Sequence, residues 1–176
     1  SRWSLANLEH GRRWLQGYAG RDMKYFLLLL AMLSGAAHAE TRFFTPGSLQ
    51  TILADRAGKP FILSLWSNAC AHCPAELKNL GELARKHPGV DIVLVATDTP
   101  DEAQQLEKLA QSYGLGKTEQ WVFDDPQPEK LRFEIDRRWY GELPRTYFFN
   151  AKHRREGHSG VIPLERLESW AGEHVK

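Results

Sequence analysis

Apolar residues fall at two spacings along residues 48–175, and the alternation between them lays out the fold. Ser48 to Arg56 carries Leu49, Ile52 and Leu53 on one side of a short helix that Gly58-Lys59-Pro60 ends. FILSLW (61–66) is instead a nearly continuous apolar run, the pattern of a strand buried on both faces. Helical spacing returns from Pro74 to Lys86 with Leu77, Leu80 and Leu83, until His87-Pro88-Gly89 breaks it. VDIVLVAT (90–97) reads as a second buried strand, and Asp101 to Tyr113 as an amphipathic helix stopped by Gly114. WVFDDP (121–126) is a brief strand running into a turn, followed by a helix expected over Pro128 to Arg138. RTYFFN (145–150) alternates and is expected to pair with HRREGHSG (153–160) across a tight turn, and Pro163 to Val175 closes the chain as a helix. Strands alternating with helices predict a parallel sheet, and the hairpin adds an antiparallel edge. The expected class is α/β, a central mixed sheet flanked by helices.

The stretch ahead of this pattern reads differently. From Met23, a lysine, an apolar run from Tyr25 to Leu33 and the small residues Ala37-His38-Ala39 have the layout of a secretory signal peptide. The run is about half the 20 or so residues needed to cross a bilayer. Residues 23–39 are therefore expected to be removed after Ala39, which places the protein in the periplasm. Residues 1–22 are read as an upstream segment outside the native fold. Residues 40–176 are long enough to bury a core and form one domain, expected to be monomeric. The net charge of +1 gives no footing for a nucleic-acid partner. Two cysteines exclude the multi-bridge framework of a small secreted scaffold.

Those cysteines, Cys70 and Cys73, lie in LWSNACAHCPAEL, where a buried strand hands over to a helix. A staple, a metal clip or a redox couple would each suit a pair in an exported protein. Spaced three apart at a helix start, the side chains share a face within bridging distance. The unpaired N–H groups and positive dipole end there favour a thiolate on Cys70. Pro74 fits, since proline is tolerated in a first turn. A strand, a C-x-x-C and a helix inside a βαβ pattern are what a dithiol redox site requires.

On LWSNACAHC, on Glu76 three residues after the second cysteine, and on ELPRTYFFN, the chain resembles the thioredoxin superfamily. Within it the resemblance is to the exported TlpA/ResA-like thiol–disulfide oxidoreductases, which carry a helix–strand insertion before the proline segment. It covers roughly residues 48–170. It implies a thioredoxin-like fold in which Cys70 is the nucleophile, Cys73 the resolving thiol, and the Cys70–Cys73 disulfide the redox group, with no further cofactor. Leu143-Pro144 would be a cis peptide beside the cysteines, offering backbone groups to an extended substrate. Trp66 and Arg145 are taken as further substrate-binding candidates, although Trp66, like Trp121, Trp139 and Trp170, also reads as core or rim packing. The partners implied are protein thiols and disulfides, and a membrane-bound electron donor or acceptor.

The chain departs from the family pattern in places. Ser64 stands where thioredoxins carry a buried Asp, and Ala69 replaces the aromatic before the first cysteine. Glu76 either helps to deprotonate Cys73 or is a solvated helix carboxylate. Arg145 would stabilise a thiolate if turned to the site and do nothing if turned to solvent, the reading favoured here. His72, beside the thiolate, can give it a hydrogen bond or positive charge, which predicts a potential above thioredoxin's value of about −270 mV. An exposed His72 that never touches Cys70 is the plainer alternative. The direction of electron flow stays open. The main rival is a thioredoxin-fold copper metallochaperone for oxidase assembly, using Cys70, His72 and Cys73 with His153 or His158 as a distant ligand. A non-catalytic interaction module and a peroxidase fit the C-x-x-C and proline segment less well.

Overall fold

A computed structural model describes residues 40–175; the expected signal peptide and the segment before it lie outside the described residues. Six strands form one sheet: β1 (Arg42–Phe44), β2 (Phe61–Trp66), β3 (Ile92–Ala96), β4 (Glu119–Phe123), β5 (Arg145–Phe149) and β6 (Arg155–Ser159), in the order β1-β4-β3-β2-β5-β6. The helices are α1 (Ser48–Asp55), α2 (Cys73–Lys86), α3 (Ala103–Ser112), α4 (Pro128–Ile135) and α5 (Leu164–His174), with a 3-10 turn at Pro100–Glu102 before α3. β1 to β4 run parallel, while β5 pairs antiparallel with β2 and with β6. This is the mixed sheet of a thioredoxin-like fold.

β2 and β3 are buried along their whole length because each face of the sheet carries its own core. Ile62 and Trp66 point with Leu94 and Phe148 towards α2, α3 and α5. Phe61, Leu63 and Leu65 point with Val93, Val95 and Tyr147 towards α1 and α4. Each large side chain so buried contributes roughly 1.5–3 kcal/mol. Ser64 breaks the apolar run on the first face, where it is fully buried.

Some boundaries differ from expectation. β1 is an added edge strand, too short to show in a periodicity, held by Phe44 against Trp121 and Phe123 at 5.9 and 5.5 Å between ring centroids. β4 starts earlier than expected because the carboxylate of Glu119 is neutralised by Arg56 at 2.7 Å and Arg42 at 3.2 Å. α4 stops at Ile135, not Arg138, because Asp136 turns extended. Its buried carboxylate accepts from the Arg138 amide at 3.0 Å and the Tyr147 hydroxyl at 3.1 Å, and draws in Arg145 and Arg155 at 3.5 and 3.6 Å. No helix among the described residues is long and apolar enough to cross a membrane.

Candidate redox site at the start of helix α2

β2 delivers the chain at Trp66 to the C-terminal end of the sheet, and a six-residue turn carries it to Cys73, the first residue of α2. Cys70 and Cys73 form a disulfide, with their Cα atoms 5.4 Å apart. Cys70 is half-buried and Cys73 fully so. The exposed sulfur is therefore the outer one, as an attacking group must be. The backbone N–H of Cys73 points to Cys70 Sγ at 3.1 Å. The same N–H, at the helix N-terminus, is shared with the Cys70 carbonyl at 3.3 Å, and its contact to sulfur becomes a charge-assisted one when Cys70 is a thiolate.

The turn ahead of Cys70 is fastened by Asp98, just beyond the end of β3. Its carboxylate accepts from the Ser67 hydroxyl at 2.9 Å and the Asn68 amide at 3.1 Å, and Ser67 Oγ in turn accepts from the Ala69 amide at 3.1 Å. Burial pushes the Asp98 carboxyl up, with the Ser67 and Asn68 bonds opposing it. Asp98→Ala is expected to slow the reaction of reduced Cys70 with glutathione disulfide about tenfold, by misplacing the nucleophile. Asp98→Asn, which keeps an acceptor oxygen, should fall between. A stopped-flow rate unchanged in Asp98→Ala would show that the turn holds itself.

Glu76, one helical turn after Cys73, is fully buried, which removes the solvated-carboxylate reading. The Thr146 hydroxyl donates to Oε1 at 2.8 Å and the Ile162 amide to Oε2 at 2.7 Å. Burial raises its proton affinity, and those two bonds oppose the rise.

The Leu143–Pro144 peptide bond is cis. β5 pairs with β2 so that Arg145 faces Leu65; continued backwards, this register sets Pro144 across from Trp66 and Leu143 across from Ser67, at the mouth of the cysteine turn. The Pro144 carbonyl is taken by the Gly160 amide at 2.9 Å, whereas the N–H and C=O of Leu143 have no backbone partner among the described residues.

Comparison with known proteins accords with this geometry. The AhpC/TSA family profile matches residues 45–154. The chain belongs to the AhpC/TSA family. Within that thioredoxin-fold family, solved structures similar to it include a secreted Mycobacterium tuberculosis disulfide oxidoreductase homologous to E. coli DsbE. That protein is 22% identical with a TM-score of 0.54, over 68% of this chain and 85% of the other. A thioredoxin-family thiol:disulfide interchange protein from Chlorobium tepidum is 12% identical with a TM-score of 0.56, over 70% and 85%. The thioredoxin domain of a Bacteroides vulgatus thiol-disulfide oxidoreductase is 16% identical with a TM-score of 0.55, over 70% and 84%. At these identities the likeness is one of fold. No curated protein matches the sequence.

Against this family frame the remaining residues separate. Trp66 is 2% exposed and packs in the same apolar cluster as Cys73, so it has almost no surface to offer a docked chain. Arg145 faces neither the cysteines nor open solvent. It lies on the other side of the sheet with Tyr147, its guanidinium 4.8 Å from that ring, and is held by Asp136 and by the Ser159 hydroxyl at 2.7 Å. It does not line the surface beside the cysteines, as expected of it, but braces the strand that follows Pro144. His72 is exposed at the N-cap of α2. His153 bonds the Arg56 carbonyl at 2.8 Å and packs on Phe61, at the far end of β2 from the cysteines. His158 contacts Arg166 on α5 at 3.3 Å. Neither histidine is brought to Cys70 and Cys73 as a metal site would need.

Sequence reasoning missed Asp98, Thr146 and Ile162. Asp98 follows a buried strand directly, the one local signal it gives; the other two reach the site only through the tertiary fold.

Proposed function

We propose that this protein is an exported thiol–disulfide oxidoreductase that exchanges electrons with protein thiols through Cys70 and Cys73. The observation that carries the reading is the Cys73 amide donating to Cys70 Sγ at the mouth of α2. A thiolate there is stabilised by the donor and by the helix dipole. In the reducing direction the Cys70 thiolate attacks a substrate disulfide, and one substrate sulfur leaves as a thiolate. Cys73 then gives its proton to Glu76 and attacks Cys70 sulfur, releasing the second substrate thiolate and closing the Cys70–Cys73 disulfide. Two electrons pass to the substrate, and the reverse sequence oxidises a dithiol.

The half-exposed Cys70 receives a substrate strand whose backbone pairs with Leu143. The disulfide is the only redox group the scheme needs, and a membrane-bound thiol partner resets it. Segment 23–39 supports export, and the similar Mycobacterium tuberculosis protein is secreted.

The test is a redox and thiol titration of the full chain against glutathione. Cys70 of the reduced protein should titrate well below the ordinary value of about 8.5, and the midpoint should lie above about −270 mV, with the ring N–H of His72, exposed at the same mouth, available as a donor to the thiolate. An ordinary thiol pKa overturns the reading; a midpoint at or below thioredoxin's removes the contribution of His72. Cys73→Ala is expected to accumulate mixed disulfides through Cys70, visible on non-reducing gels and lost in the Cys70→Ala/Cys73→Ala double variant.

A further inference from the structure

Behind Glu76 runs a line of buried hydroxyls. Ser64 on β2 and Thr146 on β5 are register partners, both fully buried, with their oxygens 3.0 Å apart. Thr146 Oγ1 lies 2.8 Å from Glu76 Oε1, and the Ile162 amide occupies Oε2. On the same side of the sheet, Cys73 lies one turn back on α2 and His158 is the β6 partner of Thr146, in contact with Arg166 of α5. Arg145 and Tyr147 of β5 lie on the opposite face, and Lys78, Glu82, Arg85 and Lys86 are further along α2. β2 and β5 bring only hydroxyls to the carboxylate. No ion pair among the described residues reaches Glu76, so its protonation is governed by neutral donors and by burial.

A threonine hydroxyl has one proton to give. With Glu76 ionised, that proton goes to Oε1, and the Ser64–Thr146 contact is filled by Ser64 donating. Every donor along the line is then satisfied. With Glu76 protonated the line reverses: the carboxyl donates to Thr146, Thr146 donates to Ser64, and the serine proton is left over in a fully buried position. An unsatisfied buried donor is costly, so the line favours the ionised end state. It works against the burial that raises the carboxyl's proton affinity.

We propose that Ser64 and Thr146 are positioning residues that keep the buried Glu76 ionised and ready to take the Cys73 proton as Cys73 attacks Cys70. Ser64 stands where thioredoxins carry a carboxylate. In this chain the acid sits on α2, and the strand supplies the hydroxyl that orients it. The inference deepens the disulfide-exchange reading and rests on it for the identity of the proton donor.

The test follows the Glu76 carboxyl by ¹³C NMR in the full-length protein, oxidised and reduced, across pH. It is paired with the rate at which Cys73 releases glutathione from a preformed Cys70–glutathione mixed disulfide. Thr146→Val removes the donor at similar shape and should raise the Glu76 midpoint by about one pH unit. Below the new midpoint, glutathione release should slow about tenfold. Ser64→Ala should give a smaller rise, and Thr146→Ser should keep the wild-type profile. An unmoved midpoint in Thr146→Val, or a Thr146→Ser variant displaced as far as Thr146→Val, overturns the proposal. If Thr146→Val does not fold, Ser64→Ala decides: a rise supports the line and no shift overturns it. The NMR titration needs no turnover. A wild-type protein with the expected Glu76 behaviour and no glutathione release would therefore defeat the disulfide-exchange reading and leave the hydroxyl line standing.

Discussion

Cys70→Ala should lose disulfide exchange by on the order of 10³-fold or more, the scale expected when a covalent nucleophile is removed. Cys73 does not replace it. Its side chain is fully buried in the cluster of Trp66, Leu77 and Leu80, out of reach of a protein disulfide, while Cys70 is half-exposed and receives the Cys73 amide. The variant should fold. What it loses is the constraint of a very short disulfide loop, about 2 kcal/mol in a chain-entropy estimate, so it should melt close to the reduced wild type and below the oxidised one. Insulin reduction and calorimetry on both redox forms separate the two effects. Substantial exchange by Cys70→Ala would reverse the roles assigned to the two sulfurs.

Gly81→Ala should be the most damaging small change in the scaffold. Gly81 lies inside α2, where glycine costs up to about 1 kcal/mol relative to alanine. The helix carries that cost because it passes hard against the backbone at the end of α3. A Cβ at Gly81 would sit 1.8 Å from the Tyr113 carbonyl oxygen and 3.0 Å from its carbon. Backbone cannot swing aside as a side-chain tip can, so α2 or the 112–118 loop must move. Overpacking of this kind costs about 3 kcal/mol, a fall in melting temperature of roughly 10 °C in a domain this size. Gly172 in α5 is the control: nothing lies within 4 Å of its added Cβ, so Gly172→Ala should be neutral or stabilising. A Gly81→Ala protein melting with the wild type would mean that α2 does not approach Tyr113 so closely.

Much of this was legible where the signal is local. The buried runs 61–66 and 90–97 have no other economical reading, and the C-x-x-C at a strand-to-helix junction carries its chemistry in its own spacing. The sequence signal weakens where a polar residue is neutralised from afar. Glu119 looks like loop until Arg56 and Arg42 are seen to neutralise it, and α4 looks longer until Asp136 is seen gathering Arg145 and Arg155. Glu76 could be read as a surface residue because its partners, Thr146 and Ile162, are 70 and 86 positions away. Gly81 did leave a mark, since a lone glycine in a helical pattern calls for a packing reason.

The rims of the sheet carry a last consequence. At one side β1 is three residues long; at the other β6 reads REGHS, mostly exposed and set with charge. Short or charged borders discourage neighbouring molecules from stitching on as extra strands. With both margins closed, the Leu143 N–H and C=O, which have no backbone partner among the described residues, offer main-chain pairing across from the cysteine turn; under the proposed function, attachment and reaction then share one address.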